Sequence, residues 1–243
     1  MRDPELAGAA LMGGFDIQEL LYQISIWAIP FLTAITFHEA AHGFVANQFG
    51  DDTAKRAGRL SANPLRHVDP FGTIVMPAML LLATHGAFAF GAAKPVPVNF
   101  SRLKPIRLGI IAVAAAGPAT NILLAFISAL LWHLLPLVPD SVASWGQEML
   151  RASILLNLWL AVFNMLPLPP LDGGRVAVAL MPRPMAMRFS RIERYGILII
   201  LLLIVILPYV GRQIGVDLAF VSRFISVIVE WLLKLVVMAA GLD

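Results

Sequence analysis

Six apolar runs make up most of this 243-residue chain, at about 20–47, 72–90, 106–136, 150–168, 195–210 and 217–239. Only 14% of the residues are charged and 59% are hydrophobic, whereas soluble domains carry about a quarter charged residues. Apolar runs of this length are typical of membrane-spanning helices. The sequence therefore predicts an all-α polytopic membrane protein that folds as a single membrane-embedded domain over residues 1–243.

The distribution of basic residues predicts the topology. Loops 48–71, 91–107 and 173–194 are rich in Lys and Arg, whereas 137–149 contains neither. Because cytoplasmic loops are the ones enriched in Lys and Arg, the three basic loops belong on one side. Segment 72–90 must then enter and leave on that side as a re-entrant helix/β element. This gives about five transmembrane helices, with the N-terminus outside and the C-terminus inside; six complete spans are the alternative.

Composition also limits the ligands and partners. The chain has no cysteine, which leaves His, Asp and Glu as metal ligands. The net charge is only +3, and the positive-inside bias accounts for the basic residues. We therefore expect the lipid bilayer as a partner and no nucleic acid. The first twenty residues lack the features of a cleaved signal peptide, so the first apolar run is predicted to be retained.

The most informative motif is His38-Glu39-Ala40-Ala41-His42, which follows a stretch, 24–37, without any ionisable group. Histidines four apart on a helix share one face and can bind one zinc ion. Glu39 is placed to take a proton from a zinc-bound water. Ionisable side chains in membrane segments are costly and usually functional, so this motif predicts a catalytic metal site.

A hydrolytic zinc site usually has three protein ligands, so a third is expected. Three histidines elsewhere are candidates by residue type: His67, His85 and His133. Asp172 is the best candidate because it ends a proline-broken stretch, NMLPLPPLDGG at 164–174, whose unwound backbone can turn a carboxylate inward. In the five-span topology the helix ends that carry His42 and Asp172 face the same basic side, whereas six spans would separate them.

HEAAH at 38–42 combined with NMLPLPPLDGG at 164–174 resembles the motif pair of the site-2 protease family of intramembrane zinc metalloproteases. Gly117-Pro118-Ala119-Thr120-Asn121 resembles the core-helix motif of that family, and residues 58–73 resemble a compact subgroup without a PDZ domain. The likeness covers about 30–180. It implies a catalytic core at about 20–180 and accessory helices at about 188–239.

The resemblance also implies the site residues: one Zn²⁺ per chain bound by His38, His42 and Asp172, with Glu39 as the catalytic glutamate. Asn164 matches a motif asparagine that contacts substrate or stabilises the reacting carbonyl. The implied function is cleavage of transmembrane segments of membrane-anchored proteins. The implied location is a prokaryotic cell membrane, with the active site near the cytoplasmic side and a regulatory partner of unknown identity.

Two other functions are compatible with the sequence. A metal-ion transporter would use the same ionisable residues as a transit site, but it would need further polar residues along a path through the other spans. A catalytically silent membrane chaperone on the same fold is the second alternative, although it would not need an intact catalytic glutamate.

Four residues are candidates for substrate binding: Asn121, His67, Val96 and Val98. In Lys94-Pro95-Val96-Pro97-Val98 the prolines remove the amide donors from one edge of an extended segment, which leaves the valine edge for pairing with an unwound substrate. An edge blunted by proline against unwanted pairing is the alternative. For Asn121 the simpler role is a hydrogen bond between helices, and for His67 it is a bond to loop backbone.

Overall fold

The structure is a computed structural model that describes residues 17–75, 79 and 94–242. This part of the chain is helical and contains no strand, which confirms the all-α class. In chain order the α-helices are α1 Ile17–Gln48, α2 Thr53–Arg56, α3 Ile106–Leu131, α4 Asp140–Asn164, α5 Asp172–Leu180, α6 Arg183–Ser190, α7 Gly196–Leu201, α8 Leu207–Ile214 and α9 Phe220–Ala239. Short 3₁₀-helices cover Pro64–Arg66, Phe100–Arg102, Trp132–Leu137 and Arg191–Tyr195, and π-helical turns cover Pro70–Val75 and Leu202–Ile206.

Three helical stretches within the described residues are long and apolar enough to cross a membrane: Leu21–Gln48, Ile106–Leu137 and Arg183–Ile214. Large apolar side chains such as Leu123 and Leu198 point outward from them, as a lipid-facing surface requires. Helices α4 and α9, of 25 and 20 residues, are also of spanning length, and each contains three charged residues. The chain is therefore an integral membrane protein.

Helices α1, α3 and α4 pack against one another and form the centre of the molecule. Small side chains on α3, such as Ala125 and Ala129, allow close packing with α4 and α9 around the fully buried Leu158 and Ile225. Helix α5 packs on α3. This arrangement brings the start of α5 to the face of α1 that carries the two histidines.

The two basic loops that flank the predicted re-entrant element lie at the same end of α1. The Lys94 amide donates to the His67 carbonyl at 2.9 Å, and the Lys104 amide donates to the Phe49 carbonyl at 2.9 Å. These contacts agree with the five-span topology and not with six complete spans. Most of the predicted element at 72–90 lies outside the described residues.

A buried carboxylate joins the end of α1 to the segment that returns at residue 94. Asp51 is fully buried and accepts hydrogen bonds from the Thr53 hydroxyl at 2.5 Å and from the Asn99 amide at 2.6 Å. Burial raises the pKa of the Asp51 carboxyl, but these hydrogen bonds and the nearby Arg102 outweigh that effect and hold the pKa below its usual value. Asp51 therefore stays charged at neutral pH and fixes the segment to the helix.

The sequence of residues 94–99 resembles that of a β-strand. These residues nevertheless form no strand within the part of the chain that the structure describes. Pro95 and Pro97 cannot donate backbone hydrogen bonds, and the Val96 and Asn99 amides donate to the carboxylates of Glu39 and Asp51 instead. This segment is therefore held by side chains of α1 and its C-terminal end and not by a neighbouring strand.

The accessory stretch from α6 to α8 lies against the loop that leads into α5 at Gly196. A Cβ atom at Gly196 would lie 2.1 Å from the Pro169 carbonyl oxygen and 2.3 Å from Pro170 Cδ. Only glycine therefore lets α7 lie directly against the loop that leads into α5. Few other residues of the Arg183–Ile214 stretch are buried within the protein, so most of its surface is left for lipid.

Candidate metal centre

Helix α1 presents His38, Glu39 and His42 from one side, as their spacing predicts. His38 and His42 are buried, and Glu39 is half-buried. The imidazole rings stand nearly perpendicular, at 85°, with centroids 4.7 Å apart. The two side chains that the sequence assigns to a metal are thus already adjacent and largely withdrawn from solvent.

Asp172 completes the group from a different helix. It is the first residue of α5, and its Oδ2 atom lies 3.3 Å from Nε2 of His38 and 3.3 Å from Nε2 of His42. In a tetrahedral site with zinc–ligand bonds of about 2.1 Å, neighbouring ligand atoms are about 3.4 Å apart. The distances to Asp172 therefore fit a shared cation. Within the described residues these three form the group that could hold a metal.

Hydrogen bonds on the far side of each ring favour the tautomer that a metal needs. His42 Nδ1 lies 2.7 Å from the Val113 carbonyl oxygen, which can only accept, so Nδ1 carries the proton. His38 Nδ1 lies 2.5 Å from Asn121 Oδ1. In neutral rings both Nε2 atoms then carry lone pairs. Two such lone pairs and a carboxylate oxygen converge on one point, an arrangement that a shared cation would stabilise.

Gly117 of α3 forms the wall behind the ligands. A Cβ atom at this position would lie 2.6 Å from Nε2 of His38 and 2.6 Å from Nε2 of His42. Any larger residue would therefore push the two ligand atoms away from their places. The absence of a side chain at Gly117 is a structural requirement of the centre.

Glu39 faces a cavity of about 290 Å³ next to the ligands. Its Oε2 atom accepts a hydrogen bond of 2.8 Å from the Val96 amide, which holds the carboxylate in place. The cavity wall also includes Pro95, Val98 and Arg175. The guanidinium of Arg175 lies over the Phe100 ring, 4.8 Å from its centroid. A basic group and an oriented carboxylate thus flank the space in which a substrate would lie.

The two predicted asparagines occupy different places. Asn164 lines the cavity, and its amide donates to the Leu160 carbonyl of its own helix at 3.0 Å. Its amide must rotate before it can reach a substrate carbonyl. Asn121 is fully buried behind His38 and is not part of the cavity wall. In this structure it is therefore a partner of a ligand and not a substrate contact.

The other predicted substrate contacts are only partly brought to the site. Val96 and Val98 both line the cavity, but the amide of Val96 already donates to Glu39. His67 is buried in its loop, with Nε2 2.7 Å from the Ser61 carbonyl oxygen, and does not line the cavity. A wider, more open depression of about 430 Å³ lies beside His67, between residues 57–68 and Lys94, but it contains none of the metal-ligating residues.

Of the remaining histidines, His133 is not part of the centre. His133 Nε2 lies 2.7 Å from the Ala240 carbonyl oxygen, far along the chain from the ligands, and His85 lies outside the described residues. The sequence did not predict Asn157, which hydrogen-bonds to Asn121 at 2.8 Å. The signal that could have indicated it is an asparagine in the middle of the apolar run 150–168.

Apolar helices of membrane-spanning length and a buried cation site with a carboxylate beside it define a membrane-embedded hydrolytic metal centre. Comparisons with known proteins agree with this class. The profile of peptidase family M50 matches residues 133–207, which include Asn164 and Asp172. YwhC of Bacillus subtilis, whose name assigns it to the zinc metalloproteases, is 41% identical over 200 residues; the alignment covers 76% of this chain and 84% of YwhC.

More distant relatives carry names of the same kind. Rip2 of Mycobacterium tuberculosis is 32% identical over 166 residues, covering 68% of this chain and 61% of Rip2. MJ0611 of Methanocaldococcus jannaschii is 31% identical over 157 residues, covering 65% of this chain and 70% of MJ0611. No solved structure matches the chain. The chain belongs to peptidase family M50, the site-2 protease family.

Proposed function

We propose that the protein is an intramembrane zinc endopeptidase that cleaves transmembrane segments of membrane-anchored proteins. The observation that carries this proposal is the position of Glu39. Its carboxylate lies in a cavity beside His38, His42 and Asp172, and the Val96 amide holds it there. A group that accepts and returns a proton next to a metal is what peptide hydrolysis requires.

His38, His42 and Asp172 would hold one zinc ion per chain. Two nitrogen ligands and one carboxylate oxygen are a set that catalytic zinc uses, with a fourth position left open. A zinc ion bound there supplies Lewis acidity, which makes water more acidic and polarises a peptide carbonyl. The zinc metalloprotease assignments carried by the names of YwhC and Rip2 support this choice of metal.

Glu39 would act as the general base and then as the general acid. It takes the proton of the attacking water as the new carbon–oxygen bond forms, and it returns that proton to the nitrogen of the leaving amine as the peptide bond breaks. Asn164, after rotation away from its own helix, would donate a hydrogen bond to the carbonyl oxygen on which negative charge develops.

The location of the cavity favours a substrate that lies in the membrane. Peptide carbonyls of a lipid-embedded helix are engaged in internal hydrogen bonds, so the substrate must unwind before it enters. The cavity lies beside the end of α1 that carries the basic loops, and these loops are expected in the cytoplasm. We therefore propose that cleavage takes place near the cytoplasmic side. The relatives from Bacillus subtilis and Methanocaldococcus jannaschii favour a prokaryotic cell membrane.

The two alternative functions are less well supported. A transporter needs an open polar path beyond the site, whereas the polar groups that continue from His38, namely Asn121 and Asn157, are fully buried and hydrogen-bonded to each other. A silent chaperone has no use for an oriented Glu39 carboxylate. Neither alternative accounts for the hydrogen bond from the Val96 amide to that carboxylate.

The test is Glu39→Gln in the purified full chain, reconstituted with a membrane-anchored reporter. Glutamine keeps the shape of the side chain but cannot take up the proton, so we expect cleavage to fall by about 10²–10⁴-fold while zinc content by metal analysis is unchanged. Glu230→Gln, an exposed position on α9, is the matched control and should cleave normally. Undiminished cleavage by Glu39→Gln, or loss of metal transport without loss of cleavage, would reject the proposal.

A further inference from the structure

A chain of buried hydrogen bonds runs from His38 away from the cavity and into the helix bundle. His38 Nδ1 lies 2.5 Å from Asn121 Oδ1, and Asn121 Nδ2 lies 2.8 Å from Asn157 Oδ1. Asn157 Nδ2 in turn lies 2.9 Å from the Ser153 carbonyl oxygen. Asn121 on α3 and Asn157 on α4 are both fully buried, so bulk water does not offer them substitute partners.

The order of donors and acceptors along this chain has one solution. The Ser153 carbonyl can only accept, so Asn157 turns its NH₂ group toward Ser153 and its oxygen toward Asn121. Asn121 then donates to Asn157 and presents its own oxygen to His38. His38 meets that oxygen with a protonated Nδ1, which leaves a lone pair on Nε2 of the neutral ring.

The other histidine does not depend on this chain. Nδ1 of His42 donates directly to the Val113 backbone carbonyl at 2.7 Å, and no side-chain amide intervenes. A weaker contact also supports Asn121, because the Ala34 carbonyl oxygen lies 3.4 Å from its Nδ2 atom. This distance is beyond the usual range for such a bond, so Asn157 is the principal acceptor for Asn121.

We propose that Asn157 is a positioning residue of the metal centre: through Asn121 it fixes His38 in the Nδ1–H tautomer, which leaves Nε2 free to bind the cation. Asn157 is part of neither the cavity wall nor the ligand group, so it acts through another residue. This inference rests on the proposed metal site. The tautomer is a property of the metal-free chain, however, so it can be tested without reference to proteolysis.

A simple hydrogen bond between α3 and α4 is the competing role for Asn157. Ser128 offers the matched comparison, since its hydroxyl lies 2.8 Å from the Ser153 hydroxyl and links the same two helices. Ser128 and Ser153 are both buried. The Ser153 hydroxyl lies 3.4 Å from Asn157 Nδ2, whereas the Ser153 carbonyl oxygen lies 2.9 Å away and is the principal acceptor. Loss of the Ser128 bond leaves that carbonyl in place, so the orientation of the asparagine amides is unchanged.

The experiment compares wild type, Asn157→Leu and Ser128→Ala as full-length protein in lipid nanodiscs. The tautomer of each histidine in the metal-free chain is read from its ¹⁵N chemical shifts after selective labelling of histidine, at a pH at which the rings are neutral, because a doubly protonated ring has no tautomer. Zn²⁺ affinity is measured separately by competition with a chromophoric chelator. We expect His38 to gain the Nε2–H form in Asn157→Leu and Zn²⁺ affinity to fall about 10- to 100-fold, the usual effect of disturbing a partner of a metal ligand.

His42 should keep its tautomer in both variants, and Ser128→Ala should match wild type in tautomer and affinity. The proposal is overturned if His38 remains entirely Nδ1–H in Asn157→Leu. It is also overturned if Ser128→Ala lowers Zn²⁺ affinity as much as Asn157→Leu does, because a general loss of helix packing would then explain both.

A second pair of variants covers the case in which Asn157→Leu does not fold. Asn121→Asp retains an acceptor for the Nδ1–H group of His38, whereas Asn121→Leu removes it. We expect the wild-type tautomer and near wild-type Zn²⁺ affinity in Asn121→Asp and loss of both in Asn121→Leu. Identical tautomers in these two variants would contradict the proposed role of the hydrogen-bond chain.

Discussion

The spacing of the metal ligands depends on Gly117 as much as on the ligands themselves. A Cβ atom at this position would lie 2.6 Å from Nε2 of both His38 and His42, far inside van der Waals contact. The rings cannot move away without losing their hydrogen bonds to Asn121 and Val113. Gly117 therefore helps to set the geometry of the centre, because the absence of a side chain leaves room for the two ligand nitrogens.

From this contact we predict that Gly117→Ala lowers Zn²⁺ affinity by at least about tenfold, the lower end of what disturbing the surroundings of metal ligands costs. Competition with a chromophoric chelator measures the change. Gly146→Ala is the control, because its added Cβ would meet only the end of the flexible Leu135 side chain, at 2.8 Å. Wild-type affinity in Gly117→Ala would show that the rings adapt to the added methyl group.

Some site residues could be predicted from the sequence because the type and spacing of their side chains indicate a metal site. The four-residue spacing of His38 and His42 and the proline-broken stretch before Asp172 were sufficient to predict that these side chains meet. The Val96 amide and the Val113 carbonyl could not be predicted, because every residue except proline carries both groups. Their roles follow from tertiary packing, which brings one backbone donor to Glu39 and one backbone acceptor to His42.

At the scale of elements, the apolar runs located the helices but not their full extent. Helix α4 begins at Asp140, ten residues before the run at 150–168, because apolarity marks only the part of a helix that is buried in lipid or protein. Its end at Asn164 does follow from the sequence, since the prolines that come next cannot continue a helix. Helix α9, Phe220–Ala239, nearly coincides with its run at 217–239.

The segment 94–99 contributes to the site through its backbone amides, which donate hydrogen bonds to carboxylates. Asp51 binds the Asn99 amide at one end, and the Val96 amide binds Glu39 in the middle. Val96→Pro removes that second donor and leaves the ligands untouched. We predict that it lowers cleavage of a membrane-anchored reporter by about tenfold or more, a part of the roughly 10²–10⁴-fold that a positioned general base contributes, with zinc content unchanged.

Two further variants separate the effect of the amide from other causes. Val96→Ala keeps the amide and shortens the side chain, so it should retain most of the cleavage. Val98→Pro leaves the bond to Glu39 in place but removes a donor next to the cavity, which tests pairing of the valine edge with substrate. Equal losses in Val96→Pro and Val96→Ala would mean that the side chain of Val96 and not its amide is required.

At the scale of the whole molecule, charge bias and metal geometry led to the same topology by independent routes. The basic loops must lie on the same side of the membrane. The ligands on α1 and at the start of α5 can meet only if the membrane segments that lead to these ligands also end on one side. The contacts of Lys94 with His67 and of Lys104 with Phe49 satisfy both conditions. The course of the chain between 76 and 93 lies mostly outside the described residues, and neither charge nor spacing specifies it.

The absence of cysteine makes this topology directly testable. Single substitutions at three exposed positions, Lys55→Cys, Lys104→Cys and Val142→Cys, place one thiol in each of the stretches 48–71, 91–107 and 137–149. We expect a membrane-impermeant maleimide added to intact cells to label Val142→Cys alone, because the basic loops face the cytoplasm. All three should react after the membrane is permeabilised, which controls for accessibility. If Lys55→Cys and Lys104→Cys were labelled from opposite sides of the membrane, a complete span would have to lie between them. That result would contradict the proposed topology, in which backbone hydrogen bonds join the two loops.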